Sequence, residues 1–267
     1  MNEAKRLAPV GVLDSGLGGL SIMRALRARL PHENFLFAGD CGHAPWGDRD
    51  YAFIQDRCHS ICSFLLEQGA KAIVLACNTA TAEAADYLRS FIAVPIIGVE
   101  PAVKPAARTS STRRVGVLAT TRTITSRRYR MLLERFAEGT VVISRGAPGL
   151  MECVERGEFA SPETKALIGL YLKPMLEQGI DTLVLGCTHY PFLTDAIREV
   201  AGDHPLTIIE PGPAVAAVLE MRLKEIDALS PSCEPGWERF FIADAKNHEK
   251  VLKTLWQGAS TPEELRA

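Results

Sequence analysis

Two cysteines stand out by what surrounds them. Val74-Leu75-Ala76-Cys77-Asn78-Thr79 and Val184-Leu185-Gly186-Cys187-Thr188-His189 are both short apolar runs that end in a thiol followed by small hydrogen-bonding residues. A single cysteine after an apolar run is most often a small buried hydrophobe. Two in the same setting, 110 positions apart, suit a reaction that needs a thiol on either side of a substrate. Each precedes an expected helix start, where the positive end of the helix dipole lowers a thiol pKa. Asn78, Thr79 and Thr188 offer neutral donors for a carboxylate. His189, two residues past Cys187, is a proton partner for that thiol.

Other chemistries fit these residues less well. Cys187-Thr188-His189 lacks the gap usual between zinc ligands and the chain has no Cys-x-x-Cys, so no metal is expected. A cysteine-dependent phosphatase would place an arginine a few positions on, where this chain has Glu83 and Leu193. Cys41, Cys58, Cys62, Cys153 and Cys233 read as structural. Seven cysteines without close pairing fit free thiols in a reducing compartment. Asp14-Ser15-Gly16-Leu17-Gly18-Gly19 has neither the Gly-x-Gly-x-x-Gly spacing of a dinucleotide turn nor the Gly-Lys-Ser/Thr of a P-loop. Its aspartate suits a substrate ammonium better than a phosphate. The loop Gly39–Gly47, rich in Gly and Pro, brings Trp46 either to a pocket wall or to the edge of a lobe.

These segments need elements that carry them to one place. Strands are predicted at Val10–Leu13, Phe35–Ala38, Ala72–Ala76, Ile96–Val99, Val115–Ala119, Val141–Ser144, Thr182–Leu185, Leu206–Ile209 and Phe240–Ala243. Helices are predicted at Leu20–Leu30, Tyr51–Gln68, Thr79–Ser90, Ser126–Ala137, Pro162–Gln178, Pro213–Ile226 and Ala245–Trp256. Strands alternating with helices, and strands without polar alternation, indicate an α/β fold with mainly parallel sheets covered on both faces. The pattern also repeats. Val10-Gly11-Val12-Leu13 returns as Val115-Gly116-Val117-Leu118, the cysteine strands recur, and Ile96-Ile97-Gly98-Val99-Glu100-Pro101 is echoed by Ile208-Ile209-Glu210-Pro211. The shifts are 105, 110 and 112 positions in the same order. A duplicated unit predicts two pseudo-symmetric α/β lobes facing each other across a cleft: residues 1–98 with 208–267, and residues 99–207. Ligands of open α/β sheets gather at the carboxyl ends of strands, where Cys77 and Cys187 both fall.

At 267 residues, 47% of them hydrophobic, the chain has ample material for such a core. A net charge of −2 gives no reason to expect nucleic acid or an anionic membrane as partner. No apolar run is long enough to span a bilayer and Met1–Pro9 has no signal-peptide core, so a cytoplasmic location is expected.

From Val10 to about Ala217 the chain resembles the glutamate racemases of the cofactor-independent aspartate/glutamate racemase superfamily. Asp14-Ser15-Gly16, Pro45-Trp46-Gly47, Cys77-Asn78-Thr79, Ala119-Thr120-x-x-Thr123 and Gly186-Cys187-Thr188-His189 carry the resemblance. It implies that one cysteine removes the α-proton of glutamate and the other reprotonates the carbon from the opposite face, Cys77 acting on D-glutamate and Cys187 on L-glutamate. It implies that Asp14 and His189 assist their neighbouring cysteines and that Glu155 supports the histidine, with Glu152 a competitor for that role. Asp14, Ser15, Trp46, Gly47, Asn78, Thr79, Thr120, Thr123, Thr188 and His189 would contact substrate. It further implies no cofactor, a homodimer and a role in supplying D-glutamate for peptidoglycan. The chain departs from the family with Trp46 where Tyr is usual and Arg122 where a small residue often precedes Thr123. Aspartate racemase, hydantoin racemase or maleate isomerase activity on the same fold, and a two-lobed binding protein without catalysis, are the alternatives at this stage.

Overall fold

The computed structural model describes residues 3–267; Met1 and Asn2 lie outside the described residues. Among the described residues ten strands, β1 (Val10–Asp14), β2 (Phe35–Gly39), β3 (Ala72–Leu75), β4 (Ile96–Gly98), β5 (Arg114–Ala119), β6 (Val141–Gly146), β7 (Thr182–Gly186), β8 (Thr207–Ile209), β9 (Glu238–Ile242) and β10 (Glu263–Glu264), form two sheets. The first runs β10-β9-β2-β1-β3-β4 and the second β6-β5-β7-β8. Every strand pair is parallel. The order β2-β1-β3-β4 is thus repeated as β6-β5-β7-β8, as expected of a duplicated unit. The chain returns to the first sheet after β8, adding β9 and β10 at its edge.

β1, β2, β3 and β7 are buried at every position, because helices cover both faces of their sheets. Each fully buried Val, Leu or Ile contributes about 1.5–3 kcal/mol by leaving water. One apolar cluster is continuous from Val10, Leu20 and Phe37 in the first lobe to Leu118, Leu172 and Leu185 in the second. The helix Gly212–Glu225, which follows β8, lies along Leu20–Arg29 and closes the return to the first lobe.

The register sets the site. Asp14 of β1 pairs with Gly39 of β2, and Leu13 with Leu75 of β3. Ser15, Asp40 and Cys77 therefore leave the first sheet at one level. In the second sheet Ala119 of β5 pairs with Gly146 of β6 and Gly186 of β7. Thr120, Ala147 and Cys187 leave at the matching level.

Candidate active site

Between the two carboxyl edges lies a cavity that, counting its open mouth, encloses ≈ 560 Å³, within the range of small-molecule sites. Ser15, Trp46, Gly47, Cys77, Asn78, Thr79, Thr120, Cys187, Thr188 and His189 all line it. Both thiols are buried.

Cys77 is the N-cap of the helix Asn78–Arg89: its Sγ accepts from the amide of Ala80 at 3.4 Å. The Ser15 hydroxyl sits 3.4 Å from the same sulfur. A helix start alone would lower this thiol. Instead burial, reinforced by the nearby Asp14 carboxylate, pushes it up to about 12, against the smaller pull of Ser15 and the Ala80 amide. Desolvation outweighs the dipole because the sulfur has no solvent to share its charge. Cys77 therefore rests as a thiol.

The Cys187 side is built differently. The chain continues not into an α-helix but through Thr188 and His189 into a 3₁₀ turn, Tyr190–Leu193, with Pro191 at its start. His189 takes the place of a helix dipole. Its Nδ1 is 3.7 Å from Cys187 Sγ and its Nε2 is 2.6 Å from Glu155 Oε1. A carboxylate only accepts, so Nε2 carries a proton and donates it to Glu155; the Gly18 amide, 3.2 Å from the same nitrogen, then has no lone pair there to donate to. Burial disfavours the charged ring, but the hydrogen bonds to Cys187 and Glu155 outweigh it and raise the His189 pKa well above the ordinary value. Burial would also raise Glu155, yet the His189 contact holds its carboxyl below the ordinary value. Glu155 additionally accepts from the amide of Leu17 at 2.6 Å. Glu152, the competing acid in sequence, lines the cavity separately.

Asp14 lies under the cavity rather than in its wall. It accepts from the Gly19 amide at 2.7 Å and from the Thr188 hydroxyl at 3.3 Å, and burial raises its pKa. It is Ser15, not Asp14, that touches Cys77. Thr123 is likewise one step back: its hydroxyl is 2.9 Å from Thr120 Oγ1, which is 3.0 Å from Thr79 Oγ1. This threonine chain bridges the lobes. Arg122 faces Glu83 across the same divide at 3.1 Å, so its charge is spent outside the cavity. Trp46 is fully buried and in the wall, its indole Nε1 without a hydrogen bond. Asn78 is buried with neither amide oxygen nor nitrogen bonded. Such atoms cost about 1–3 kcal/mol each when left unpaired, which marks them for a ligand.

The Gly-rich turn after β1 has a specific reason for its glycines. A Cβ on Gly16 would sit 2.3 Å from Glu155 Oε1, and one on Gly18 would sit 2.3 Å from His189 Nδ1. The turn of one lobe is thus molded to the His189–Glu155 pair of the other. Sequence reasoning did not identify Ala147, Pro148, Met151, Tyr190, Asp48 and Thr121, which also line the wall. The repeat held the signal for the first three: the segment after β6 corresponds to the Gly39–Gly47 loop after β2.

Residues 21–219 match the family model for Asp/Glu/Hydantoin racemase. The chain is 49% identical to the glutamate racemase of Pseudomonas aeruginosa, covering 93% of this chain and 94% of that one. It is 48% identical to the glutamate racemase of Methylococcus capsulatus, over 94% and 92% of the two chains. Among solved structures it is similar to a glutamate racemase of Francisella tularensis in complex with D-glutamate, with a TM-score of 0.84, 29% identity and 98% of each chain covered.

Proposed function

This chain belongs to the Asp/Glu/Hydantoin racemase family, and from that premise we propose that it interconverts L- and D-glutamate by moving the α-proton between two thiols. The observation that carries this reading is that Cys77 and Cys187, remote in sequence and each buried, line one cavity. The names of its relatives support glutamate as the substrate.

The reaction runs as follows from L-glutamate. Cys187, taken as the thiolate, removes the α-proton, with the His189 ring, whose pKa is raised, beside it as the charged partner of the sulfur. The planar carbanion that forms is stabilised by donors around its carboxylate, for which Asn78, Thr79, Thr120 and Thr188 are available. Cys77, held as a thiol by its burial, gives its proton to the opposite face. D-Glutamate leaves, and Cys77 is now the thiolate. Burial also makes that thiolate a stronger base for the return reaction, since a raised pKa narrows the gap to a very weak carbon acid. The surroundings of the two sulfurs differ: Cys187 has the His189 ring beside it, Cys77 the Ser15 hydroxyl and the Ala80 amide. No lysine lines the cavity among the described residues, so none is positioned for Schiff-base chemistry; in this reading the two thiols move the proton without a cofactor. In the cell the enzyme works in the cytoplasm as a homodimer and supplies D-glutamate for peptidoglycan.

The purified chain, with no cofactor added, should bring the optical rotation of L-glutamate to zero. D-Glutamate and D-aspartate offered together should show turnover of glutamate alone. Preferential turnover of aspartate would move the assignment to a sibling activity, and no loss of rotation with either amino acid would end it.

A further inference from the structure

Behind His189, on the side away from the cavity, Glu155 faces two more groups that the proposed reaction does not use. Cys41, in the 3₁₀ turn after β2, and His248, in the first turn of the helix Ala245–Leu255, bring Sγ and a ring nitrogen toward its carboxylate. The three ligand atoms all lie within 4.8 Å of one another. Glu155 Oε1 is taken by His189 and Leu17, but Oε2 is buried and has no hydrogen bond. His248 Nε2 is 3.9 Å from Oε2. The other ring nitrogen of His248, Nδ1, lies 3.0 Å from the backbone carbonyl of Asp244. It must donate there, so in the neutral ring the lone pair lies on Nε2, the nitrogen that faces Glu155. A carbonyl on the far nitrogen is the usual support of a metal-binding histidine.

We propose that Cys41, Glu155 and His248 form a cross-lobe site for a borderline-soft divalent cation, with Zn²⁺ the best match. Burial and the Glu155 carboxylate raise the Cys41 thiol well above its ordinary value, so the ion must displace its proton on binding; the bound donor set is then thiolate, carboxylate and neutral imidazole, with two negative charges to balance the ion. Tetrahedral zinc sets its ligand atoms about 3.3–3.8 Å apart, so the cluster closes with about 1 Å of side-chain movement. The three residues line an open cavity, which leaves a fourth position for water. Arg156, in the same wall, is turned to Glu158 at 2.7 Å and does not oppose the ion. Cys41 and His248 come from the first lobe and Glu155 from the second, so an ion here pins the lobes together. It also draws charge from the carboxylate that holds His189, and so slows the reaction. That consequence rests on the proposed racemase activity; the binding does not.

Co²⁺ titration of the reduced full chain, followed by thiolate-to-cobalt absorption, tests the site without any turnover. One Co²⁺ per chain, displaced by Zn²⁺, is expected. Cys41→Ser and His248→Gln should each weaken binding by about 100-fold or more, whereas a Cys77→Ala/Cys187→Ala double variant should bind as before. Zn²⁺ should slow turnover of the unaltered chain and lose that effect in His248→Gln. No thiolate–cobalt band in the unaltered chain, a band that survives both Cys41→Ser and His248→Gln, or one lost with Cys77 and Cys187 would each overturn the proposal.

Discussion

Gly18→Ala probes the pair behind Cys187 without replacing either thiol. The added methyl would lie 2.3 Å from His189 Nδ1, 2.6 Å from Cε1 and 2.7 Å from Cγ. Ordinary contact begins near 3.5 Å, so the imidazole must retreat by about 1 Å. It has little room to do so, with Glu155 at 2.6 Å and Cys187 at 3.7 Å on its two nitrogens. Overpacking of this kind costs about 1–3 kcal/mol of stability. A 1 Å misplacement of a catalytic group costs about 10²-fold in rate. The two glutamate enantiomers have equal free energy in water, so kcat/KM must fall by the same factor in both directions. The assay is initial-rate racemisation from each enantiomer, with thermal unfolding as a check on the fold. Gly42→Ala is the control: its methyl meets nothing closer than Ala243 Cβ at 3.5 Å, and it should leave kcat/KM unchanged. A folded Gly18→Ala enzyme with full activity would refute the placement of His189 as a working group.

Further outcomes are expected at the site. Cys77→Ala and Cys187→Ala should each lower racemisation by about 10⁴-fold with little change in unfolding temperature, measured by polarimetry and calorimetry. Asn78→Leu should stabilise the free chain by on the order of 1 kcal/mol, since two unpaired buried polar atoms are removed, while the glutamate KM rises about 10²-fold; an unchanged KM would deny Asn78 a substrate contact. Glu155→Gln should expose the pH dependence of the His189–Glu155 pair. The raised His189 pKa stabilises the fold fully below its ordinary 6.5, and the effect fades as pH rises through the folded value. The depressed Glu155 pKa stabilises it above the ordinary 4.5, and the effect fades as pH falls through the folded value. The loss of unfolding free energy in the variant should thus be greatest between pH 4.5 and 6.5, and a loss that is flat with pH would show the pair to be uncharged.

Much of the architecture was legible because it rests on long, unambiguous patterns. The nine predicted strands and seven predicted helices all form, with ends displaced by one or two residues. The helix after β3 begins at Asn78 because a cysteine, an uncommon cap, accepts from the Ala80 amide in its first turn. The short helices Val103–Thr109, Thr121–Thr125, Leu150–Glu155 and Thr194–Ala201 were not anticipated. Thr121–Thr125 is rich in β-branched residues that disfavour helix, and it exists because the Thr120 hydroxyl caps it by accepting from the Thr123 amide. The motif residues with a chemical signature lined the cavity. Asp14, Thr123 and Glu155 stand behind its wall instead, since sequence spacing carries no information on which side of a neighbour a group will lie. The metal-ligand cluster was invisible for the same reason: Cys41, Glu155 and His248 share no local pattern and meet only through the return of the chain to its first sheet.

The central claim is that separate thiols work on opposite faces of one carbon, and initial-rate turnover of L-glutamate in deuterium oxide tests it directly. The first D-glutamate formed should carry deuterium at Cα while the remaining L-glutamate keeps its protium. Deuterium entering both enantiomers equally from the start would mean that a single group serves both faces.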